Sequence, residues 1–117
     1  MVDHVQYIIV PIADPTRALT FYTELLQFEV VENEKRGGTP WLVVQPPRGL
    51  VKVLLFPCGP EERPRRVPLY LHTPDVHAAY ERLQREEVSC DPPIERRGRV
   101  VVILRDPDGN PLILTEG

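Results

Sequence analysis

Cysteine is scarce in this chain of 117 residues, which contains only Cys58 and Cys90 and no C-x-x-C motif. Disulfide frameworks need several cysteines, and thiolate zinc sites need closely spaced pairs. The count and the spacing favour neither class. We interpret the two cysteines as small, half-buried hydrophobic residues with reduced thiols, which is typical of a cytoplasmic protein.

Long apolar runs and extended basic segments are also missing. No apolar stretch approaches the roughly 18 residues that a membrane helix requires, and no basic segment precedes an apolar one at the N-terminus. The arginines are scattered except for two short groups within residues 63–66 and 96–99, and the formal net charge is −3. The sequence therefore predicts a protein that binds neither membranes nor nucleic acid.

The length is sufficient for one domain with its own hydrophobic core, without disulfide or metal staples. We expect a single domain over residues 1–117. Proline, glycine and charged residues concentrate in residues 57–66, the segment whose composition best suits a linker. This segment divides the domain into a first module of about residues 1–57 and a second of about residues 67–117.

The most informative segment, Arg105-Asp106-Pro107-Asp108-Gly109-Asn110, separates two apolar runs near the C-terminus. Its Asp, Gly and Asn residues suit a tight turn, and the runs at residues 100–104 and 111–115 favour strands. The segment predicts a β-hairpin, which by itself carries no function.

Module 1 has the pattern of a strand followed by a helix and three strands. Residues 4–12 are rich in β-branched and aromatic types, and Asp14-Pro15 is typical of a helix N-cap and first helical residue. Apolar residues then recur at helical spacing up to Leu26, which predicts a helix near residues 15–26. Strands are predicted at residues 28–32, 41–45 and 50–56.

The same order begins again after residue 66. Residues 67–72 are a predicted strand, Asp75 repeats the capping signal, and an apolar stripe predicts a helix near residues 75–87. Further strands are predicted at residues 88–90, 100–104 and 111–115. Asp14 and Asp75 lie 61 residues apart, and aligning them superposes Tyr22 on Leu83. The chain is therefore predicted to contain two βαβββ units.

These features together resemble the vicinal oxygen chelate superfamily, which includes glyoxalase I, extradiol dioxygenases, fosfomycin resistance proteins and bleomycin resistance proteins. The resemblance rests on the two units, the motif of residues 14–26 and the terminal hairpin, and it covers essentially the whole chain. It implies an α+β fold with two curled mixed sheets that form a cleft. Gln27 departs from the pattern, because the family commonly has Gly there, so Gln27 must adopt the helix-ending conformation or the helix must end differently.

The resemblance also implies four positions for the ligands of one divalent metal ion. Three of them fall on Tyr7, Pro68 and Ile113, and the fourth belongs to residues 50–56, which contain no Asp, Glu or His. A divalent ion needs several converging N or O donors, whereas these residues offer at most a neutral phenol. We therefore expect no metal and no other cofactor.

Strand alternation predicts which side chains line the cleft. The expected lining is aromatic and aliphatic, with few polar groups and no carboxylate, and it suits a small, largely apolar or aromatic molecule better than a large cation such as bleomycin. The alternatives are that the side chains simply fill a narrow cleft or belong to a subunit interface. The candidate ligand-binding residues are Tyr7, Ile9, Trp41, Gln45, Lys52, Leu54, Phe56, Tyr70, His72 and Ile113.

Two functions are compatible with this pattern. The first is a metal-free homodimer that binds or sequesters a small molecule, with a second copy covering the apolar sheet faces. The second is an enzyme of lyase, isomerase or dioxygenase type, with displaced metal ligands or with proton transfer by His72 or Tyr70. No catalytic residue is assigned, because nothing in the sequence pairs with His72, and His4 and His77 are expected at the surface. A third possibility is that the chain is an accessory module whose cleft is vestigial.

Overall fold

The structure is a computed structural model that describes residues 1–63 and 65–117. Pro64, which falls within the predicted linker of residues 57–66, lies outside the described residues. The chain forms two compact units, Met1–Arg65 and Arg66–Gly117, which we call module 1 and module 2. Each contains one four-stranded mixed sheet and one helical segment in the order βαβββ, so the predicted fold class is confirmed.

Module 1 contains β1 (Ile8–Ile12), α1 (Pro15–Thr20) with a following π-helical turn (Phe21–Leu25), β2 (Glu29–Arg36), β3 (Thr39–Gln45) and β4 (Val53–Pro57). The strand order is β1-β4-β3-β2, in which β1 is parallel to β4 and the other neighbours are antiparallel. The Asp14 carboxylate accepts hydrogen bonds from the amides of Thr16 and Arg17 at 3.0 and 3.3 Å. The predicted N-cap is therefore confirmed.

One face of the module 1 sheet forms the core of this module. Tyr22 of the helical segment is completely buried, and α1 contacts β4. Apolar strand residues of this face that are at most 4% exposed include Val10, Leu42, Val44, Val53 and Leu55. The other face carries Ile9, Leu54, Val43 and Glu32 in one row across the four strands.

Gln27 ends the first helical segment with φ of 63°. The amide of the next residue, Phe28, donates to the carbonyl of Tyr22 at 2.9 Å and closes the helix end. Gln27 therefore adopts the helix-ending conformation, and the alternative of a different helix end does not occur. For a residue with a Cβ, this conformation is less stable than for glycine by about 1 kcal/mol.

The helical segments of the two modules differ by one residue in the distance from a buried core residue to the residue that ends the helix. In module 2, Glu87 has φ of 57° and the following amide donates to the carbonyl of Leu83, so Glu87 is the counterpart of Gln27. Tyr22 and Leu83 lie 61 positions apart, whereas Gln27 and Glu87 lie 60 apart. The π-helical turn of module 1 accommodates the additional residue without moving the buried face.

Module 2 contains β5 (Leu69–His72), α2 (Val76–Arg85), β6 (Ile94–Arg96), β7 (Arg99–Arg105) and β8 (Pro111–Thr115). Its strand order is β5-β8-β7-β6, with β5 parallel to β8. Val76 and Leu83 of α2 are buried, together with strand residues Val102, Leu104, Leu112 and Leu114. The predicted capping residue Asp75 accepts a hydrogen bond from Ala78 N at 3.0 Å.

The predicted strand at residues 88–90 is wrong. Cys90 forms only an isolated bridge with Leu104, and the second strand of module 2 lies at Ile94–Arg96. Pro92 and Pro93 lack amide hydrogens, so ladder pairing cannot run through them and resumes at Ile94. Several other bounds also differ: β1 and β4 begin later than predicted, and β2 continues to Arg36.

The predicted terminal hairpin is confirmed, and its turn is organised by Asp106, which is 5% exposed. The Asp106 carboxylate accepts hydrogen bonds from Asp108 N at 2.9 Å, Asn110 N at 2.8 Å and Asn110 Nδ2 at 2.8 Å. Gly109 has φ of 83°, as the turn chemistry requires.

Within residues 1–63 and 65–117, no helix is long and apolar enough to cross a membrane.

Candidate functional site

The predicted site residues of module 1 lie on the sheet face opposite its core. Ile9 and Leu54 belong to the row of paired residues that ends at Glu32, and Phe56, Trp41 and Gln45 share this face by alternation. The exposed fraction of Ile9 is 55% and that of Phe56 is 36%, whereas Leu54 is buried. Lys52, which precedes β4, is half-buried. This face therefore presents apolar side chains beyond the module's own core.

Tyr7 and Trp41 are in direct contact on this face, with ring centroids 5.8 Å apart in an edge-to-face arrangement. The Tyr7 hydroxyl donates a hydrogen bond to Glu32 Oε2 at 2.8 Å. Arg36 Nη2 donates to Glu32 Oε1 at 2.8 Å, and the Arg36 guanidinium carbon lies 4.3 Å from the centre of the Trp41 ring. We call Tyr7, Glu32, Arg36 and Trp41 the module 1 cluster.

The expectation of a lining without a carboxylate is wrong for module 1, because Glu32 bonds directly to Tyr7. The sequence pattern does not indicate Glu32 or Arg36, since β2 extends further than predicted and contains a bulge between Val30 and Glu32 that shifts its alternation. The hydrogen bond to Glu32 raises the pKa of Tyr7 above 10.0, and burial and the Glu32 charge act in the same direction. Tyr7 is therefore a neutral hydrogen-bond donor at physiological pH.

The predicted site residues of module 2 lie on β5 and β8. Tyr70 pairs with Ile113, and His72 pairs with Thr115, on the face opposite the buried residues of α2. The exposed fraction of Tyr70 is 63%, and Ile113 is buried. His72 is exposed, and within residues 1–63 and 65–117 no hydrogen-bonding or ionic partner orients it. The structure thus offers no group that would tune His72 as a base.

A cavity of about 730 Å³ opens on the same face of module 2. Strand register explains its composition, because Arg96 pairs with Arg99 and Val101 pairs with Thr115. Directly paired residues of antiparallel strands project from the same face. We call it the arginine cavity, and its lining residues are Tyr70, Arg96, Arg97, Arg99, Val101, Thr115 and Gly117.

The arginine cavity contains only one of the predicted candidate residues, Tyr70. The arginine group within residues 96–99 is visible in the sequence, but the short pattern does not indicate that it faces a cavity. That information depends on the position of β6, which the sequence pattern places six residues too early. The signal that could have identified this site is the Arg97-Gly98 pair, because a hairpin turn at these residues places β6 directly before it.

The family model of the Glyoxalase/Bleomycin resistance protein/Dioxygenase superfamily matches residues 2–114 of the chain. The protein therefore belongs to this superfamily, as its resemblance to the vicinal oxygen chelate proteins implies. No curated protein matches the chain significantly.

Solved structures show the same relationship. The chain is similar to TnmS3, an antibiotic binding protein from Streptomyces sp. CB03234, with 31% identity and a TM-score of 0.86 over 97% of this chain and 95% of that chain. It is similar to UcmS2, with 28% identity and a TM-score of 0.84 over 100% of both chains. A superfamily member from Sphaerobacter thermophilus DSM 20745 is 27% identical, with a TM-score of 0.86 over 99% of this chain and 98% of that chain.

The residues at the metal positions of the superfamily do not fit a divalent ion. The Tyr7 hydroxyl is bonded to Glu32, Pro68 and Ile113 have no donor atoms in their side chains, and β4 has the sequence VLLFP. Among residues 1–63 and 65–117, no group of three or more His, Cys, Asp or Glu side chains is placed to hold a metal. His4, His72 and His77 are all exposed. No chemical step is therefore assigned to a metal in this chain.

Proposed function

We propose that this protein binds a small molecule and releases it unchanged, as an antibiotic-binding member of its superfamily. The observation that carries this proposal is its 31% identity to an antibiotic binding protein, over nearly the full length of both chains. The unsuitable residues at the metal positions support it. The exposed and unpartnered His72 gives no comparable support to an enzymatic function.

The ligand would contact a sheet face that lies opposite the core of a module. Aromatic rings provide large apolar area at a low entropic cost, and a few polar groups then orient the bound molecule. The module 1 cluster supplies two rings, one of which is held in place by the hydrogen bond from Tyr7 to Glu32, and Tyr70 supplies an exposed ring on module 2. We propose as binding residues those given above: Tyr7, Ile9, Trp41, Gln45, Lys52, Leu54, Phe56, Tyr70, His72 and Ile113.

We further propose that the binding form is a homodimer whose clefts contain residues from both subunits. Ile9 at 55% exposure and Phe56 at 36% leave apolar area uncovered on one face of module 1. A two-fold partner would cover such area through an isologous interface. Sedimentation equilibrium at micromolar concentration should give twice the chain mass of 13.4 kDa. A species of 13.4 kDa under these conditions would contradict the dimer.

Trp41 provides a direct assay of binding, because it is the single tryptophan in the chain. Titration with a panel of planar aromatic antibiotics should change its fluorescence with saturation at micromolar concentration. Each ligand should then be recovered intact, as judged by mass spectrometry. Conversion of a ligand in excess over the protein would favour an enzyme instead, and the lack of any saturable ligand in the panel would contradict the proposal.

A matched pair of variants locates the site. Phe56→Ala removes a ring from the proposed binding face, whereas Leu50→Ala removes an apolar side chain that is 96% exposed outside the strands. The loss of a buried aromatic contact weakens binding by roughly tenfold or more. We therefore expect weaker binding by Phe56→Ala and an unchanged affinity for Leu50→Ala. Equal affinities of the two variants would argue against this face.

A further inference from the structure

The arginine cavity concentrates positive charge in a protein whose net charge is −3. Three arginines line it, Arg96, Arg97 and Arg99. Arginine stays protonated at every physiological pH and has hydrogen-bond donors but no acceptor. The cavity is thus a local cationic site rather than part of a generally basic surface.

No carboxylate of the described residues forms an ion pair with these arginines. Glu116 lies at the adjacent smaller cavity, but its Oε2 accepts a hydrogen bond from Val76 N at 3.0 Å at the start of α2. The positive charge therefore remains available for a ligand.

The equivalent hairpin of module 1 is different. Arg36 pairs with Thr39 around a Gly37-Gly38 turn, as Arg96 pairs with Arg99 around Arg97-Gly98. Arg36 is bound by two carboxylates, those of Glu32 at 2.8 Å and Glu34 at 2.9 Å. Of the two related hairpins, one carries a neutralised arginine and the other carries three arginines without acidic partners. The repeated fold alone does not require the arginine cluster.

Arg97 also occupies a strained position. Its φ is 52°, in the left-handed region, where its module 1 counterpart is Gly37 with φ of 57°. A side chain is disfavoured in this conformation, and such strain tends to be kept at functional sites. Replacement of Arg97 by glycine would relieve the strain, so the stability of the turn does not account for the arginine.

We propose that the arginine cavity binds an oxyanion, and that the ligand is therefore an aromatic or otherwise apolar acid. The guanidinium groups would donate hydrogen bonds to a carboxylate, sulfonate or phosphate of the ligand. The Tyr70 ring and Val101 would contact its apolar part. This inference rests on the proposed binding function and specifies the class of molecule that the protein binds.

Two probes with the same ring system test the charge requirement. 2-Naphthoate carries a carboxylate, and 2-naphthamide replaces it with a neutral group of nearly the same shape. Binding should be measured by amide chemical shifts in NMR, with no tag after Gly117, since Gly117 lies beside Arg99. We expect naphthoate to bind roughly tenfold more tightly than naphthamide, as charge-assisted hydrogen bonds allow. The naphthoate-specific shifts should centre on Gly98 and Thr115.

Arginine variants assign the effect to the cavity. Arg96→Gln combined with Arg99→Gln should reduce the preference for naphthoate to about twofold or less. Arg97→Gly should reduce it as well while raising thermal stability, which separates loss of binding from loss of fold. Arg85→Gln removes one exposed charge from α2 and should leave the preference unchanged.

The results separate this inference from the proposed function. Equal affinity for the two probes, no binding of naphthoate at millimolar concentration, or a preference that survives loss of Arg96 and Arg99 would each overturn the oxyanion site. Saturable binding of neutral members of the antibiotic panel in that case would leave the proposed function intact. Naphthoate preference confined to the arginine cavity, together with conversion of the panel ligands, would support the oxyanion site and contradict simple binding.

Discussion

The hydrogen bond from the Tyr7 hydroxyl to Glu32 Oε2 joins the two opposite edges of the module 1 sheet. Tyr7 immediately precedes β1 and Glu32 lies on β2, and these strands are the first and last in the order β1-β4-β3-β2. In a flat sheet the outer strands would be about 14 Å apart, at roughly 4.8 Å per strand. Side chains that stand up from a flat sheet would not approach to 2.8 Å across this distance, so the bond indicates that the sheet is curled. The Trp41 ring packs against Tyr7 on this face.

The first prediction concerns the ionisation of Tyr7. The bond to Glu32 raises its pKa above 10.0, so Tyr7 should ionise at higher pH than a free tyrosine. Its contribution to stability is fully present below pH 10.0 and is lost as the pH rises through the raised folded-state pKa. The ionisation of Tyr7 is measured by ultraviolet absorbance, as the difference between the titration curve of the unmodified protein and that of the Tyr7→Phe variant.

Glu32→Gln provides the control for Tyr7. Removal of the carboxylate should lower the Tyr7 pKa toward the ordinary tyrosine value. Glu29→Gln removes a charge from the same strand without touching Tyr7, and it should leave the titration unchanged. A Tyr7 that titrates in the unmodified protein as it does in Glu32→Gln would show that the bond to Glu32 is absent in solution.

The second prediction concerns the helix end at Gln27. Its φ of 63° favours glycine, so Gln27→Gly should stabilise the protein by about 1 kcal/mol. Glu87→Gly should have the same sign for the same reason. Glu86→Gly is the matched control, because Glu86 has φ of −84°, and glycine there should destabilise. Urea unfolding measures all three changes, and a destabilising Gln27→Gly would contradict the assigned backbone conformation.

Much of this fold could be predicted because its local signals agree with its tertiary structure. Asp14 and Asp75 cap helices in the structure as their sequence positions indicate. The turn chemistry around Gly109 specifies the terminal hairpin directly. These features depend on neighbours within a few residues, so no knowledge of the remaining fold is needed to identify them.

The site residues depend on information that the local pattern does not contain. The Val30/Glu32 bulge shifts alternation on β2, and only the register with β3 shows that Glu32 shares a face with Trp41. Arg96 and Arg99 face a cavity because β6 begins after Pro92-Pro93, whereas alternation favours an earlier strand. Register between strands thus decides which polar side chains line the candidate site.

The third prediction concerns the reactivity of Cys90. Burial raises the pKa of its thiol, and the Asp91 charge acts in the same direction, although a hydrogen bond with Gln84 lowers it. Cys90 should therefore react slowly with Ellman's reagent at pH 8, with a rate that still increases at higher pH. Cys58→Ser isolates this thiol, and denatured protein gives the unperturbed rate. Equal rates in folded and denatured Cys58→Ser protein would contradict the expected protection.

The last prediction concerns Asp106, whose carboxylate holds the terminal hairpin turn. It accepts from the amides of Asp108 and Asn110 and from Asn110 Nδ2, all within 2.9 Å. Asp106→Ala would leave these buried donors without their acceptor, and a loss of about 2–4 kcal/mol in unfolding free energy is expected. Asp106→Asn keeps an oxygen that can accept from the two backbone amides but has no second acceptor for the Asn110 side chain, so its loss should be smaller.

Asp91→Ala is the matched control, because Asp91 is exposed and lies outside the turn. A change below about 0.5 kcal/mol is expected there, as for an ordinary surface substitution. Denaturant unfolding of the three variants should therefore rank Asp106→Ala as least stable, Asp106→Asn as intermediate and Asp91→Ala as close to the unmodified protein. The ranking depends on the number of donors left unsatisfied, so equal losses for Asp106→Ala and Asp91→Ala would mean that these hydrogen bonds do not hold the turn in solution.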